Sequence, residues 1–174
     1  EEVVSGKFTT NNPTINGVWE PVYIMNKIML GLYNAYLSCD LPQAKDVLVK
    51  MADWFGYQVL DKLSYEQIQE LLVCEHGSIN ESYITVYEIT GDEKYLKWAK
   101  LLNDEDMLIP AAEERDVLNG WHANTQIPKF TGFEKVYNYT QEDKYTRAAQ
   151  FFWESVVDKH TWVIRGNSTG EHFF

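Results

Sequence analysis

Apolar residues recur every three or four positions along most of the chain, which is the spacing of an amphipathic helix. This pattern predicts helices over residues 21–38, 42–60, 65–74, 79–89, 93–102, about 128–139 and 142–158. Between them, the acidic stretch 103–120 is predicted to be irregular. Residues 1–18 are rich in turn-forming residues and predict an extended N-terminal arm, and residues 161–168 predict a short extended piece and a turn.

Several helix starts carry capping residues. Ser64 with Gln67, and Ser78 with Glu81, have the spacing of a capping box, in which the first side chain accepts from the third helical N–H. Thr90 and Thr140 are each followed three positions later by an acid, which predicts a similar cap for the helix that follows.

A repeat of 50 residues is visible in the chain. Residues 86–95, VYEITGDEKY, recur at 136–145 as VYNYTQEDKY, and a weaker copy lies around Ala35-Tyr36. Each copy is a helix, a tight turn and a second helix, so the repeat predicts stacked helical hairpins, either in an open solenoid or in a closed toroid. A toroid of about six hairpins would need roughly 300 residues at this period. The sequence therefore predicts an all-α fold of three hairpins, about half of an (α/α)6 toroid, as one domain over residues 1–174.

If the first helices of the hairpins run parallel, the segments that enter them share one rim. These segments are 19–21, 75–81, 121–126 and 167–172, and they hold three of the four histidines. Helix N-termini also direct free N–H groups toward such a rim, where hydroxyls or anions can accept from them. The predicted ligand-binding residues are His122, Asn124, Gln126, Glu171 and His172, with Glu75, His76 and Asn80 from the earlier segment.

Each of these residues also has a purely structural explanation. Glu81 can complete a capping box, Asn124 or Thr125 can cap a helix, and His122 can be an ordinary loop histidine. His160 suits a helix C-terminus, where a positive charge is favourable. Glu75, Glu81 and Glu171 are carboxylates of the kind a glycosidase uses in pairs, but their spacing identifies no such pair.

No metal-binding pattern is present in the sequence. His76 and His122 are isolated, and Cys39 and Cys74 lack the spacing of a CxxC or zinc motif. The two cysteines are expected to be small apolar residues of the core, although a disulfide between them remains an alternative.

The charge composition argues against two classes of binding partner. The net charge of −11 and the isoelectric point of about 4.7 argue against nucleic acid and anionic membrane surfaces as partners. No apolar run approaches the roughly 20 residues that span a bilayer. The acidic start, Glu1-Glu2, does not match a signal peptide, so we expect a cytoplasmic protein or a processed piece of a longer one.

From about Pro21 to Phe174, the chain resembles the bacterial β-L-arabinofuranosidases of glycoside hydrolase family 127. The motifs that carry the resemblance include Leu118-Asn119-Gly120, the segment 122–129 and Glu171-His172-Phe173. Others are 21–25, Lys27-Ile28, Gly31-Leu32, Met51-Ala52-Asp53-Trp54, Asn80-Glu81, 90–96, Phe151-Phe152-Trp153 and 166–168. Two positions depart from the pattern, since Asn26 stands where the family has His and Ser78 stands where Gly is usual.

The resemblance implies an (α/α)6 barrel, retaining hydrolysis of L-arabinofuranosides in plant-derived glycans, and a periplasmic or secreted full-length protein. It also implies a cysteine nucleophile held on zinc with a glutamate acid/base. Neither Cys39 nor Cys74 lies in a matching motif, so we expect no catalytic residue, metal site or other cofactor in these 174 residues. The partners expected are a carbohydrate and either the remainder of the barrel or a second copy of the chain.

The sequence therefore predicts a chain that contributes substrate-binding residues to a glycoside hydrolase and has little activity alone. Two alternatives stay open. One is another α/α-toroid sugar enzyme, such as an unsaturated-uronide hydrolase or an epimerase. The other is a helical-repeat binding module without catalysis, which would present a concave surface to a protein or peptide.

Overall fold

The computed structural model describes residues 1–164 and 166–174, and the described residues form mainly α-helices. The helices are α1 (Pro21–Cys39), α2 (Pro42–Phe55), α3 (Tyr65–Leu72), α4 (Ile79–Thr90), α5 (Glu93–Leu101), α6 (Glu105–Ala112), α7 (Ala123–Thr140) and α8 (Asp143–Asp158). Helix α2 continues into a π-helical turn at Gly56–Leu60. The predicted all-α fold of helical hairpins is confirmed. In the part of the chain that is described, no helix combines the length and apolar character needed to cross a bilayer.

The three hairpins of the repeat are formed by α1 with α2, α4 with α5, and α7 with α8. In each hairpin the first helix ends at a residue with a left-handed backbone, namely Asp40 (φ 52°), Gly91 (φ 71°) and Gln141 (φ 55°). A left-handed residue after a helix turns the chain sharply and lets the final carbonyls be satisfied. The sequence repeat at 50-residue intervals is therefore a repeat of this turn.

The chain forms two compact units, Glu1–Leu102 and Asn103–Phe174, and each is described by itself. The assignment of residues 1–174 to one domain stays a prediction, because one family domain can contain more than one such unit.

Trp98 lies at the centre of the first unit and is 1% exposed. Its ring makes edge contacts with Tyr57, Tyr83 and Tyr95 at centroid distances of 5.0, 5.9 and 5.7 Å. Gly56, in the π-helical turn, lies so close that a Cβ there would be 2.4 Å from the Trp98 ring. The absence of a side chain at Gly56 therefore allows the tryptophan to pack directly on the backbone.

The core of the second unit combines stacked aromatic rings with a buried ion pair. The Phe130 and Phe152 rings stack at 3.8 Å between centroids, joining α7 to α8. Lys129 is 4% exposed, and its Nζ donates to Asp104 Oδ2 at 2.5 Å. The other carboxylate oxygen of Asp104 accepts from the Asp106 N–H and so caps α6.

Residues 103–120 were predicted to be irregular and the N-terminal arm to be extended, and the first of these predictions was wrong. The N-terminal arm contains three short antiparallel strands, β1 (Thr10–Asn11), β2 (Thr14–Ile15) and β3 (Val18–Trp19), in the order β1-β2-β3. Within 103–120, residues Glu105–Ala112 form α6, which packs on α8. The predicted extended piece at 161–168 includes Arg165, which lies outside the described residues.

The starts of several helices also differ from the predictions. Helix α7 begins at Ala123 rather than near Pro128, so Pro128 lies inside it. Ser64 and Gln67 form the predicted capping box, whereas Ser78 donates to the Glu81 carboxylate at 2.7 Å and does not cap the backbone. Asp92, rather than Thr90, caps α5. Thr90 and Thr140 instead bond back to the carbonyls of Val86 and Val136.

Candidate functional site

His122 stands at the start of α7 in the second unit and is the residue that precedes the first helical turn. Its ring Nδ1 lies 2.6 Å from Thr125 Oγ1, and Thr125 is buried one turn into the helix. This hydrogen bond occupies one ring nitrogen and fixes the ring's orientation. Nε2 is therefore left as the nitrogen that faces outward.

The C-terminal segment pairs with the loop that leads to His122. The N–H of Phe173 donates to the Trp121 carbonyl, and the N–H of Gly120 donates to the Phe173 carbonyl, both at 2.9 Å. The N–H of Ala123 donates to the Glu171 carbonyl at 2.7 Å. These bonds place His122 opposite His172 in an antiparallel bridge.

Three side chains consequently meet at the surface of the second unit, and we call His122, Glu171 and His172 the His122 cluster. His122 Nε2 lies 3.6 Å from Glu171 Oε2, and the two imidazole rings are 5.5 Å apart between centroids. The Glu171 side chain is 83% exposed, and its backbone is left-handed, with φ 69°. The cluster presents one carboxylate and two imidazoles to solvent, which is a set of donors and acceptors suited to hydroxyl groups.

The remaining predicted residues of this unit differ in exposure. Asn124 is exposed in the first turn of α7, next to His122. Gln126 is buried, and its Oε1 has no hydrogen-bond partner among the described residues. The structure brings His122, Glu171 and His172 together. Ligand contact by these three residues, as by Asn124 and Gln126, stays a prediction.

Glu75, His76 and Asn80 belong to the first unit, and all three are buried there. His76 Nδ1 lies 3.1 Å from the Cys74 carbonyl, the Glu75 N–H donates to Asn12 Oδ1 at 3.3 Å, and Asn80 Oδ1 accepts from the Glu81 N–H. These contacts hold the segment between α3 and α4 in place. A role for the three residues in ligand binding stays a prediction.

Asn26 was not among the predicted site residues, although it contacts the same segment. Its Nδ2 donates to Ser82 Oγ at 2.8 Å, and its buried Oδ1 has no partner within the described part of the chain. A Cβ at Gly77, where φ is 58°, would lie 2.5 Å from that oxygen, so only glycine fits there. The sequence feature that could have identified Asn26 is its position, because it is a polar amide among the apolar residues on the buried face of α1.

The comparison with known families decides which class of protein this is. The family model described as "Beta-L-arabinofuranosidase, GH127 catalytic domain" matches residues 2–174, which is nearly the whole chain. The chain belongs to the GH127 family. It is therefore a glycoside hydrolase family member, and its substrate is a carbohydrate. No curated protein matches the chain at a significant level.

The two cysteines, which are the candidate thiol nucleophiles of the chain, differ in exposure. Cys39 is exposed at the end of α1, and Cys74 is fully buried. Burial, together with the nearby carboxylates of Glu20 and Glu75, raises the pKa of the Cys74 thiol to about 11. The thiolate is the reactive form, so Cys74 is an inert thiol at neutral pH.

Zinc is the cofactor that the GH127 resemblance implies. The described residues contain no group of three or more His, Cys, Asp or Glu side chains placed to hold a metal ion. Cys74 is buried and belongs to no such group. The donors of the described residues do not fit a zinc site, and no chemical step is assigned through one.

The contrast between the cysteines predicts the outcome of thiol labelling. At about pH 8, a disulfide reagent is expected to modify Cys39 quickly and to leave Cys74 unmodified, because only about one Cys74 thiol in a thousand is ionised at that pH. Counting thiols by absorbance should give one in the native protein and two in denaturant. Fast labelling of both thiols in the native state would contradict the burial of Cys74.

Proposed function

We propose that this chain supplies substrate-binding side chains to a β-L-arabinofuranosidase-like glycoside hydrolase that acts on plant-derived glycans. The observation that supports the proposal is the His122 cluster, in which backbone pairing holds two imidazoles and a carboxylate together. In this proposal the nucleophile and the acid/base are supplied by protein outside these 174 residues, which completes the barrel.

Each member of the His122 cluster has a defined task in binding. The Glu171 carboxylate accepts from sugar hydroxyls, in hydrogen bonds that are stronger than neutral ones because the acceptor is charged. His122 presents Nε2, since Thr125 occupies Nδ1. His172 Nδ1 lies 2.7 Å from the Gly170 carbonyl, so its Nε2 is also the nitrogen that meets a ligand. Trp121, which precedes His122 and is exposed, offers an aromatic face for the apolar side of a sugar ring.

The cluster lacks the groups that break a glycosidic bond. A glycosidase uses two carboxyl groups about 5–5.5 Å or 6.5–9.5 Å apart, or a different nucleophile, and the cluster holds one carboxylate. We therefore assign binding and orientation to it, and no proton transfer to the glycosidic oxygen. Periplasmic or secreted residence of the full-length protein goes with this proposal, since plant glycans are extracellular polymers.

Titration with a methyl β-L-arabinofuranoside tests the proposal, with binding followed by NMR or calorimetry. The wild-type chain is expected to bind it weakly and saturably. Glu171→Gln and His122→Ala should each weaken binding by about tenfold, the effect of losing one charge-assisted hydrogen bond. Glu154→Gln, which removes an equal charge from an exposed position on α8, should leave the affinity unchanged.

Two results would contradict the proposal. The first is equal affinity of the wild type and the cluster variants for the glycoside, which would remove the His122 cluster from the binding site. The second is robust arabinofuranosidase turnover by the 174-residue chain, because that would place bond-breaking groups within it.

A further inference from the structure

His160 lies just after α8 in the second unit, and both of its ring nitrogens face oxygen acceptors. Nε2 lies 2.9 Å from Asp116 Oδ2, and Nδ1 is hydrogen-bonded to the backbone oxygen of Phe174. The ring is buried, and it makes edge contacts with the rings of Phe173 and Phe174 at centroid distances of 5.8 and 6.2 Å.

The chemistry of these two partners restricts the protonation of the ring. A carboxylate and a carbonyl are acceptors only, and a neutral imidazole has a single N–H to donate. The imidazolium has two, so only the charged ring satisfies both oxygens. Burial opposes ionisation of Asp116, but the Leu118 N–H, the His160 ring and Lys159 outweigh it and lower the pKa of Asp116 below its usual value.

The positions of the two acceptors connect His160 to the His122 cluster. Asp116 lies in the loop that leads to His122, and Phe174 closely follows Glu171 and His172. The two segments pair with each other between Gly120 and Phe173. His160 therefore contacts both segments from the end of α8.

We propose that His160 is a positioning residue for the His122 cluster, and that it acts as an imidazolium that donates to Asp116 in one segment and to Phe174 in the other. Loss of either donor leaves one segment without its link to α8, and the distance between His122 and Glu171 is then no longer fixed. The connection to sugar binding rests on the function proposed above, whereas the protonation and the positioning do not.

Among the residues that the structure describes, charged groups lie near the ring in two segments. Asp116 faces it from the loop before α7, and Lys159 precedes it in the chain. Arg115 is paired with Glu113 at 2.7 Å in the same loop. From the C-terminal segment, the backbone oxygen of Phe174 faces the ring, and so do the aromatic rings of Phe173 and Phe174.

NMR of the chain labelled with ¹⁵N in its four histidines tests the proposal without any ligand. At about pH 7.5, His160 should show two protonated ring nitrogens, because both nitrogens face oxygen acceptors. His160→Gln identifies its signals by their loss. A neutral tautomer at His160 under these conditions would overturn the proposal, and this measurement on the wild-type protein decides it even if a variant fails to fold.

The variant Asp116→Asn gives a second test of the proposal, because it removes the negative charge that stabilises the imidazolium. In this variant we expect His160 to become neutral and the His122 and His172 ring signals to move, while His76 in the first unit stays unchanged as the internal control. Unmoved His122 and His172 signals would overturn the positioning role. Affinity for the methyl arabinofuranoside should fall about tenfold. If the wild type shows the imidazolium but binds no sugar, the proposed function fails and the role of His160 in holding the two segments stands.

Discussion

Replacing Lys129 with methionine is expected to destabilise the chain by about 3–5 kcal/mol, because it leaves the Asp104 carboxylate in a buried site without its ammonium partner. Methionine fills a similar volume, so the loss reflects the missing charge rather than a cavity. The measurement is urea unfolding followed by far-UV circular dichroism, with the slope of the transition compared to that of the wild type.

A surface pair in the same unit gives the matched control. Lys144 Nζ lies 3.5 Å from Glu142 in a pair that is about half exposed, and Lys144→Met should cost less than about 1 kcal/mol. Adding Asp104→Asn to Lys129→Met should restore part of the loss, because a neutral amide can still cap α6. If Lys129→Met and Lys144→Met lower the free energy of unfolding equally, the buried pair stabilises the fold no more than the surface pair does.

Replacing Trp98 with alanine is expected to cost about 3–5 kcal/mol, the range for truncating a large buried side chain. The variant loses three edge contacts with tyrosine rings and the hydrogen bond from Nε1 to Asp61 Oδ1, and it leaves a cavity against Gly56. The π-helical turn has no side chain at Gly56 to fill that space. Thermal and urea unfolding both measure the change.

Trp54 gives the control for that variant, because it is a tryptophan of the same unit with 58% of its surface exposed. Trp54→Ala should change the free energy of unfolding by less than about 1 kcal/mol. Trp98→Phe, which keeps an aromatic ring but loses the donor to Asp61, should fall between the two alanine variants. A Trp98→Ala variant as stable as Trp54→Ala would show that the ring is not packed as described.

The sequence predicted the helices that can be recognised from neighbouring residues alone. Helices α1, α2, α4, α5 and α8 follow from apolar spacing and turn residues, and the 50-residue repeat identified the hairpins. Helix α6 was missed because its acidic first turn and Pro110 resemble a loop. Its stability comes from packing on α8 and from the Asp104 cap, which a pattern read along the chain does not reveal. The predicted start of α7 near Pro128 was wrong, because α7 begins at Ala123 and accommodates Pro128 five residues inside.

The sequence proposed residues for a site but did not predict most of the contacts between them, and ligand binding by these residues stays a prediction. The resemblance and the repeat together brought His122, Glu171 and His172 to one place, and the backbone pairing of residues 120–123 with 171–173 is the reason they meet. No sequence pattern predicted that Thr125 orients the His122 ring, or that His160 joins Asp116 to Phe174. Such contacts depend on side-chain geometry between segments far apart in the chain, which periodicity and capping rules do not describe.

The pairing of His122 with His172 also determines when during folding the cluster can assemble. The two residues are separated by 50 positions, and closing a flexible chain of that length costs about 3.5 kcal/mol in the length-dependent part of the entropy alone. Helices α7 and α8 lie between them, and as a hairpin with a tight turn they return the chain to its starting end. Local helical contacts form early. We therefore expect the cluster to assemble after the α7–α8 hairpin, which removes most of that entropic cost.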